Sequence, residues 1–158
     1  MSESTQVKAD IIGFTMEYSG TVRSWIESEE TYYSLCRSKE YPPPENVVET
    51  WQRAGVSAYI LLSQNRPVAY GELWDKPQSM AVEVAHLLVD PARRSQGYGT
   101  KMLQLLFDRA AGRKGVVQVM INLFGGNEEV LNCYLKAGFE LSGYSPHAEG
   151  LKMVRVIP

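Results

Sequence analysis

Hydrophobic positions along this chain follow two rhythms. Between residues 56 and 90 they run nearly unbroken or alternate, in "VSAYILLS" (56–63), "PVAYGELW" (67–74) and "MAVEVAHLLVD" (80–90). Such runs, bounded by turn residues, predict strands, and "QNR" between the first two predicts a hairpin. The third run is the most apolar, which predicts a central strand, ended by Asp90 and Pro91. The rhythm then changes. Met102, Leu103, Leu106 and Ala110 recur at helical spacing and predict an amphipathic helix from about Gly97 to Arg113. "VVQVMINLF" (116–124) alternates again and predicts a strand. "NEEVLNCYLKAGF" (127–139) predicts a helix with Asn127 as cap, Glu128 and Glu129 at its positive end, and Gly138 as a left-handed stop. "GFELSGY" and "GLKMVRVIP" predict closing strands.

Upstream, "ADIIGFTMEY" (9–18) predicts a first strand. "TVRSWIESEETYYSLCRS" (21–38) predicts one helix carrying Trp25, Ile26, Tyr32, Tyr33 and Leu35. The prolines of "YPPPENVV" end it, because proline cannot continue a helix. "PENVVETWQRAG" predicts a short helix stopped by Gly55. The series strand, glycine turn, helix, strand implies a parallel crossover between "HLLVD" and "VVQVM". Hairpins on either side imply antiparallel neighbours, hence a mixed sheet with helices on both faces. No repeat, low-complexity tract or linker interrupts it, so residues 1–158 are expected to form one domain.

Composition narrows the function. A net charge of −2 argues against a general nucleic-acid binder but leaves room for a local basic site. Cys36 and Cys133 stand alone without a cysteine–histidine cluster, so no metal site is expected, and reduced thiols suit a cytoplasmic protein. "MSESTQVKAD" lacks the apolar core of a signal peptide, and no apolar run is long enough to span a membrane.

"RRSQGYGT" (93–100) is the stretch with chemistry. It lacks the Gly-Lys-Ser/Thr ending of a Walker A loop, and Met102 replaces the third glycine of a dinucleotide fingerprint. A turn from strand to helix exposes backbone N–H groups at the positive helix end. Gly97 and Gly99 would let a pyrophosphate approach them, with Arg93 or Arg94 adding charge. A tight turn with solvated arginines remains the alternative.

"HLLVDPARRSQGYGTKML" resembles the acetyl-CoA-binding motif of the GNAT acetyltransferase superfamily, with Arg94, Gln96, Gly97 and Gly99 on its pattern. "NEEVLNCYLKAGF" resembles that family's later motif of an Asn, a Tyr seven residues on, and Gly-Phe. The likeness covers roughly residues 56 to 143; the first 50 residues match loosely. It implies an α/β (α+β) fold with a mixed, mostly antiparallel sheet of six or seven strands and a splayed parallel central pair. It also implies acetyl-CoA as co-substrate, its pantetheine arm along Leu87, Leu88 and Val89. The pyrophosphate would rest on Arg94, Ser95, Gln96, Gly97, Tyr98, Gly99 and Thr100, with Asn127 near the pantetheine end. The family often dimerises, and the C-terminal strand is a candidate interface.

Acetyl transfer to an amine needs a deprotonated nucleophile, N–H donors for the developing oxyanion, and a proton for the leaving thiolate. The resemblance implies the Leu88 N–H for the oxyanion and Tyr134 as general acid. Glu83 is the candidate base, because a carboxylate inside "MAVEVAHLLV" is costly unless paired or used. A structural carboxylate, or a water chain as base, stays open. Glu83 lies four residues before Leu87, so strand alternation puts both on one side of the sheet and His86 on the other. His86 is expected to be a satisfied core histidine, and His147 a loop residue at the surface or substrate rim. Trp25, Tyr32, Tyr33, Tyr41 and Trp51, with Glu27, Glu29 and Glu30, are either a core set beside a solvated acidic face or an acceptor site for a cationic amine. The expected function is N-acetyl transfer from acetyl-CoA to a primary amine. A non-catalytic acyl-CoA-binding module on the same fold is the alternative, and a nucleotide-binding domain of another class is the third.

Overall fold

Seven strands pair into one sheet in the computed structural model, which describes residues 8–124, 128–144 and 150–158. They are β1 (Asp10–Gly13), β2 (Val56–Ser63), β3 (Arg66–Lys76), β4 (Ala81–Val89), β5 (Gln118–Phe124), β6 (Glu140–Tyr144) and β7 (Gly150–Val156), in the order β1-β2-β3-β4-β5-β7-β6. β4 and β5 run parallel and every other neighbouring pair is antiparallel. The hairpin expected at "QNR" joins β2 to β3, with Gln64 and Asn65 both at positive φ, as a tight two-residue turn demands. β7 lies between β5 and β6, so both of its edges are paired; this strand offers no free edge to a second copy.

The helices are α1 (Ser19–Ser24), α2 (Glu29–Cys36), α3 (Val47–Thr50), α4 (Tyr98–Ala111) and α5 (Glu128–Lys136). The single helix expected over 21–38 is two. Ser28 takes extended backbone and its side chain accepts from the Thr31 N–H, which starts a new helix there. The first strand is shorter than expected, giving way to a 3-10 turn at Met16. Gly138 is the left-handed stop after α5, at φ +92°. α4 and α5 cover one face, where Met102, Leu103, Leu106 and Tyr134 join Val82 and Val84 in the main core. α1, α2 and α3 cover the other, around Val22, Trp25, Tyr32, Trp51 and Tyr70. Of the aromatic set, Trp25, Tyr32 and Trp51 are buried core, Tyr33 is half-buried and Tyr41 is exposed.

The alternation of β4 fails at one place. Tyr70 pairs with Leu88 and Glu72 with Ala85, so His86 and Leu87 together oppose Gly71. This is a β-bulge, and His86 sits at φ +49° within it. The extra residue turns the rest of the strand over. Leu87 falls on the α4 face, its Cδ1 only 3.4 Å from where a Gly71 Cβ would be. His86 falls on the opposite face, with Glu83, Trp51 and Trp74. The expected arrangement of Glu83, His86 and Leu87 is therefore reversed.

Glu72 holds the bulge. It is fully buried, and it accepts from Tyr70 Oη (2.5 Å), Trp74 Nε1 (2.7 Å) and His86 Nδ1 (2.9 Å). The Trp51 ring stacks on His86 at 4.1 Å, and Gln52 Nε2 donates to Tyr70 Oη at 2.9 Å. A buried carboxylate is tolerated because every contact is a donor. Removing one donor should therefore cost more than a typical core change. His86→Ala is expected to lower stability by about 3 kcal/mol or more in urea denaturation, with Glu72 left under-satisfied. A loss below about 1 kcal/mol would mean that packing alone maintains the bulge.

Candidate functional site

The parallel pairing of β4 with β5 stops at Val84 opposite Ile121. Beyond it, Ala85–Val89 keep β3 on one side, while Asn122–Phe124 of β5 pair only with β7. A wedge opens between the two strands, and two cavities enter it.

The first, of about 610 Å³, lies between the end of β4, the start of α4, and α5. Leu87, Leu88, Val89, Arg94, Ser95, Gly97, Tyr98, Gly99, Thr100 and Tyr134 line it, and so does Arg93. Gln96 is exposed and does not. Asn127 and His147 lie outside the described residues. Gly97 precedes α4 at φ +88°, a left-handed geometry that suits glycine. The helical ladder begins with Lys101 N–H to Gly97 O (3.0 Å), which leaves the N–H groups of Tyr98, Gly99 and Thr100 ahead of it at the positive end. Gly99 answers to packing: a Cβ there would lie 3.3 Å from Cys133 Sγ and 3.6 Å from Val89 Cγ2. Its missing side chain lets α4 approach α5. Arg94 pairs with Glu27 at 3.0 Å, both near half exposure. Glu29 and Glu30 occupy the first turn of α2, where they complement its dipole.

The second cavity, of about 520 Å³, opens beneath α2. Trp74, Lys76, Glu83 and His86 form one wall, and Asn122, Phe124 and Lys152 the other. Glu83 accepts from Asn122 Nδ2 at 3.0 Å and faces Lys76 Nζ at 3.5 Å. Glu27, Glu29 and Glu30 are not among its described lining residues. The two cavities share Ser34, Leu35, Leu87, Val130 and Tyr134. Glu83 and Tyr134 thus approach the wedge from opposite faces of the sheet. Burial, and then the neighbouring Cys133, raise the Tyr134 hydroxyl well above its ordinary value, so it keeps its proton throughout the neutral range.

A family model described as the acetyltransferase (GNAT) family matches residues 22–139. The chain belongs to the GNAT acetyltransferase family. No curated protein matches its sequence. Among solved structures it is similar to an aminoglycoside acetyltransferase, AAC(6')-Ib, bound to paromomycin and acetyl-CoA, at 18% identity over 94% of this chain and 93% of that one, TM-score 0.78. A spermidine N-acetyltransferase from Vibrio cholerae, bound to CoA and spermine, has 8% identity over 94% and 95%, TM-score 0.77. A ribosomal-protein α-N-acetyltransferase bound to CoA has 14% identity over 97% and 96%, TM-score 0.76. At these identities the likeness establishes the fold. The GNAT match contains β4, α4 and α5, and so most of the first cavity's wall.

Several residues of this GNAT site escape a reading of sequence. Glu72 is one, although the reasoning applied to Glu83, a carboxylate amid apolar strand residues, applies equally to "YGELW". Arg37, Asn122 and Lys152 are others, brought in from three separate elements. Cys36 Sγ lies 4.0 Å from His86 Nε2, completing an outline of cysteine, histidine and glutamate. The outline does not favour a thiolate. Burial first, and the Glu72 charge second, push the Cys36 thiol up to about 12, and burial also raises Cys133. At pH 8 both thiols are expected to react with iodoacetamide at least about tenfold more slowly than an unhindered cysteine, as followed by mass spectrometry. Rapid modification of Cys36 would reopen a nucleophilic role.

Proposed function

We propose that this chain transfers the acetyl group of acetyl-CoA to an amine, as a cytoplasmic enzyme. The observation that carries this is the meeting of two cavities at Leu87 and Tyr134, on the edge of β4 that lacks a strand partner. The first cavity suits a long thioester with an anionic end. Its pyrophosphate would lie on the N–H groups at the start of α4, with Arg93 and Arg94 beside it. Its arm would follow Leu87, Leu88 and Val89, whose outer edge offers backbone groups. Acetyl-CoA supplies the activated acyl group; the remaining chemistry belongs to side chains and backbone.

The amine would enter through the second cavity. Glu83, directly or through a water, takes the proton that an ammonium must lose before it can attack. Asp90 N–H bonds Val68 O, and antiparallel alternation then turns the Leu88 N–H toward Tyr70 of β3, not toward the open edge as expected. The Leu87 N–H, on that edge, would donate to the carbonyl oxygen as charge builds on it. Tyr134 gives its proton to the departing thiolate from the opposite side of the wedge. A base and an acid on opposite faces suit a direct transfer, in which one proton leaves the nucleophile as another reaches the leaving group. Two free thiols, Cys36 and Cys133, agree with a reducing compartment.

Tyr134→Phe is expected to lower kcat by about 100-fold with the KM for acetyl-CoA little changed, measured by thiol release with an amine panel. Unchanged turnover would remove Tyr134 from the mechanism. In the parent protein the raised hydroxyl should keep this acid function intact up to about pH 10 and lose it only above that. Glu83→Gln should depress activity most near neutral pH and least where the amine is already deprotonated; a loss independent of pH would make Glu83 a binding residue. Tight acetyl-CoA binding without turnover on any amine would instead support an acyl-CoA-binding module.

A further inference from the structure

A primary ammonium carries three N–H bonds and an amide product carries one, so acetyl transfer strips two protons from one nitrogen. Glu83 can hold the first. Among the described residues, the acceptor cavity is also lined by one imidazole, that of His86, and imidazole is the side chain most often used to accept a proton. The bulge puts it there. At φ +49° within the bulge, His86 lies on the face that carries Glu83 and away from α4.

The donors around Glu72 set the tautomer of this ring. Gln52 Nε2 donates to Val48 O at 3.0 Å and to Tyr70 Oη at 2.9 Å, so the Tyr70 hydroxyl gives its own proton to Glu72. Trp74 Nε1, which can only donate, also bonds Glu72. A carboxylate held by obligate donors accepts from His86 too, at 2.9 Å, and the proton of the neutral ring is therefore on Nδ1. Nε2 keeps its lone pair. Cys36 Sγ lies 4.0 Å from it, a long contact with a weak donor. Trp51 stacks on the ring at 4.1 Å and Trp74 meets it edge-on at 5.5 Å, which fixes where Nε2 stands. The titratable groups gathered about the ring are Glu72 and, beyond it, Tyr70 on β3, and Cys36 on α2; Lys76 of β3 and Glu83 of β4 line the same cavity. When a proton reaches Nε2, the Glu72 carboxylate faces the positive ring that forms.

We infer that His86 is a second proton acceptor of the acceptor cavity, its Nε2 taking the proton that the substrate nitrogen loses after it has attacked. The inference rests on the acetyl-transfer reading and adds a step to it. Glu83 first removes one proton from the ammonium. The nitrogen lone pair then bonds to the acetyl carbon, the C=O pair moves onto oxygen, and the nitrogen becomes positive with two N–H bonds. Nε2 takes one of these protons, and the electron pair of that N–H bond stays on nitrogen. As the carbonyl re-forms, the C–S bond breaks, its pair leaves with sulfur, and the Tyr134 proton neutralises the thiolate. Glu83 and His86 return two protons to water and Tyr134 recovers one, so each turnover frees one proton.

The test variant is His86→Asn. Asparagine tolerates positive φ, and its amide nitrogen can donate to Glu72 as Nδ1 does, but it has no second nitrogen facing the cavity. Its urea midpoint and its CoA binding should stay near those of the parent, which reports an intact fold. With the amine of the panel that the parent acetylates fastest, kcat is expected to fall about 100-fold while the KM for acetyl-CoA changes little. The limb that His86 contributes to the pH profile of kcat should disappear, a change that lost packing alone would not produce. Turnover within about threefold of the parent, or a profile of unchanged shape, overturns the inference. Ring-nitrogen NMR on the isotopically labelled parent needs no variant to fold. It should show the neutral His86 ring protonated at Nδ1 and bare at Nε2, and the opposite tautomer overturns the inference as well. An active parent with an unaffected variant defeats this step alone. A parent that binds acetyl-CoA but acetylates no amine defeats the acetyl-transfer reading, and this step falls with it.

Discussion

The contact between Glu72 and His86 is the one on which the site depends. A sheet that binds something between two adjacent strands must part them without falling into two sheets. Here β4 and β5 stay paired from Ala81 to Val84 and then separate. The parting coincides with the bulge at His86 and Leu87, an extra residue that twists the strand away from its parallel neighbour. A histidine at positive φ is an uncommon conformation, and a buried carboxylate is a costly one. Each makes the other tolerable, and Trp51, Trp74 and Tyr70 close the remaining gaps with a ring face and two donors.

The bulge also decides which side chains meet which cavity. Leu87 turns toward α4 and lines both cavities, while His86 lies on the α1–α3 face against Trp51 and Glu72. Without the extra residue, Leu87 would share a face with Glu83, and His86 would project toward α4. The same local event coincides with the opening of the wedge and decides the face that Leu87 takes between Glu83 and Tyr134. The cavities then differ in the groups that they present. The first uses the start of a helix, where N–H groups lie ahead of the ladder, together with two arginines at the turn. The second uses side chains, with Glu83 and His86 on its wall.

Much of the fold was legible because local signals agreed. The turn at Gln64–Asn65, the stop at Gly138 and the apolar stripe of α4 each follow from short stretches of sequence, and each stands where expected. The burial of Trp25, Tyr32 and Trp51 followed from the amount of apolar surface they carry. Less was legible where one residue changes local geometry. Ser28 divides the helix expected over 21–38, since its capping bond is indistinguishable in sequence from a serine on a helix face. Gly99 stands in a motif associated with cofactor approach, yet the space it leaves is taken up by Cys133, 34 positions later in the chain.

The sequence by itself determined the strands, the helices other than the division at Ser28, their order, the parallel crossover and the glycine turn at the start of α4. These depend on periodicity and on backbone preferences that act over a few residues. It also carried the motifs that identify the family. Tertiary structure alone decided the faces of β4 beyond Ala85, because a bulge reverses alternation and depends on a register with β3 that no stretch of β4 encodes. It likewise decided that Glu72 belongs with His86, and that Arg37, Asn122 and Lys152 face the same cavity as Glu83. Those groups lie far apart along the chain, and only the pairing of strands and the docking of α2 bring their charges within reach of one another.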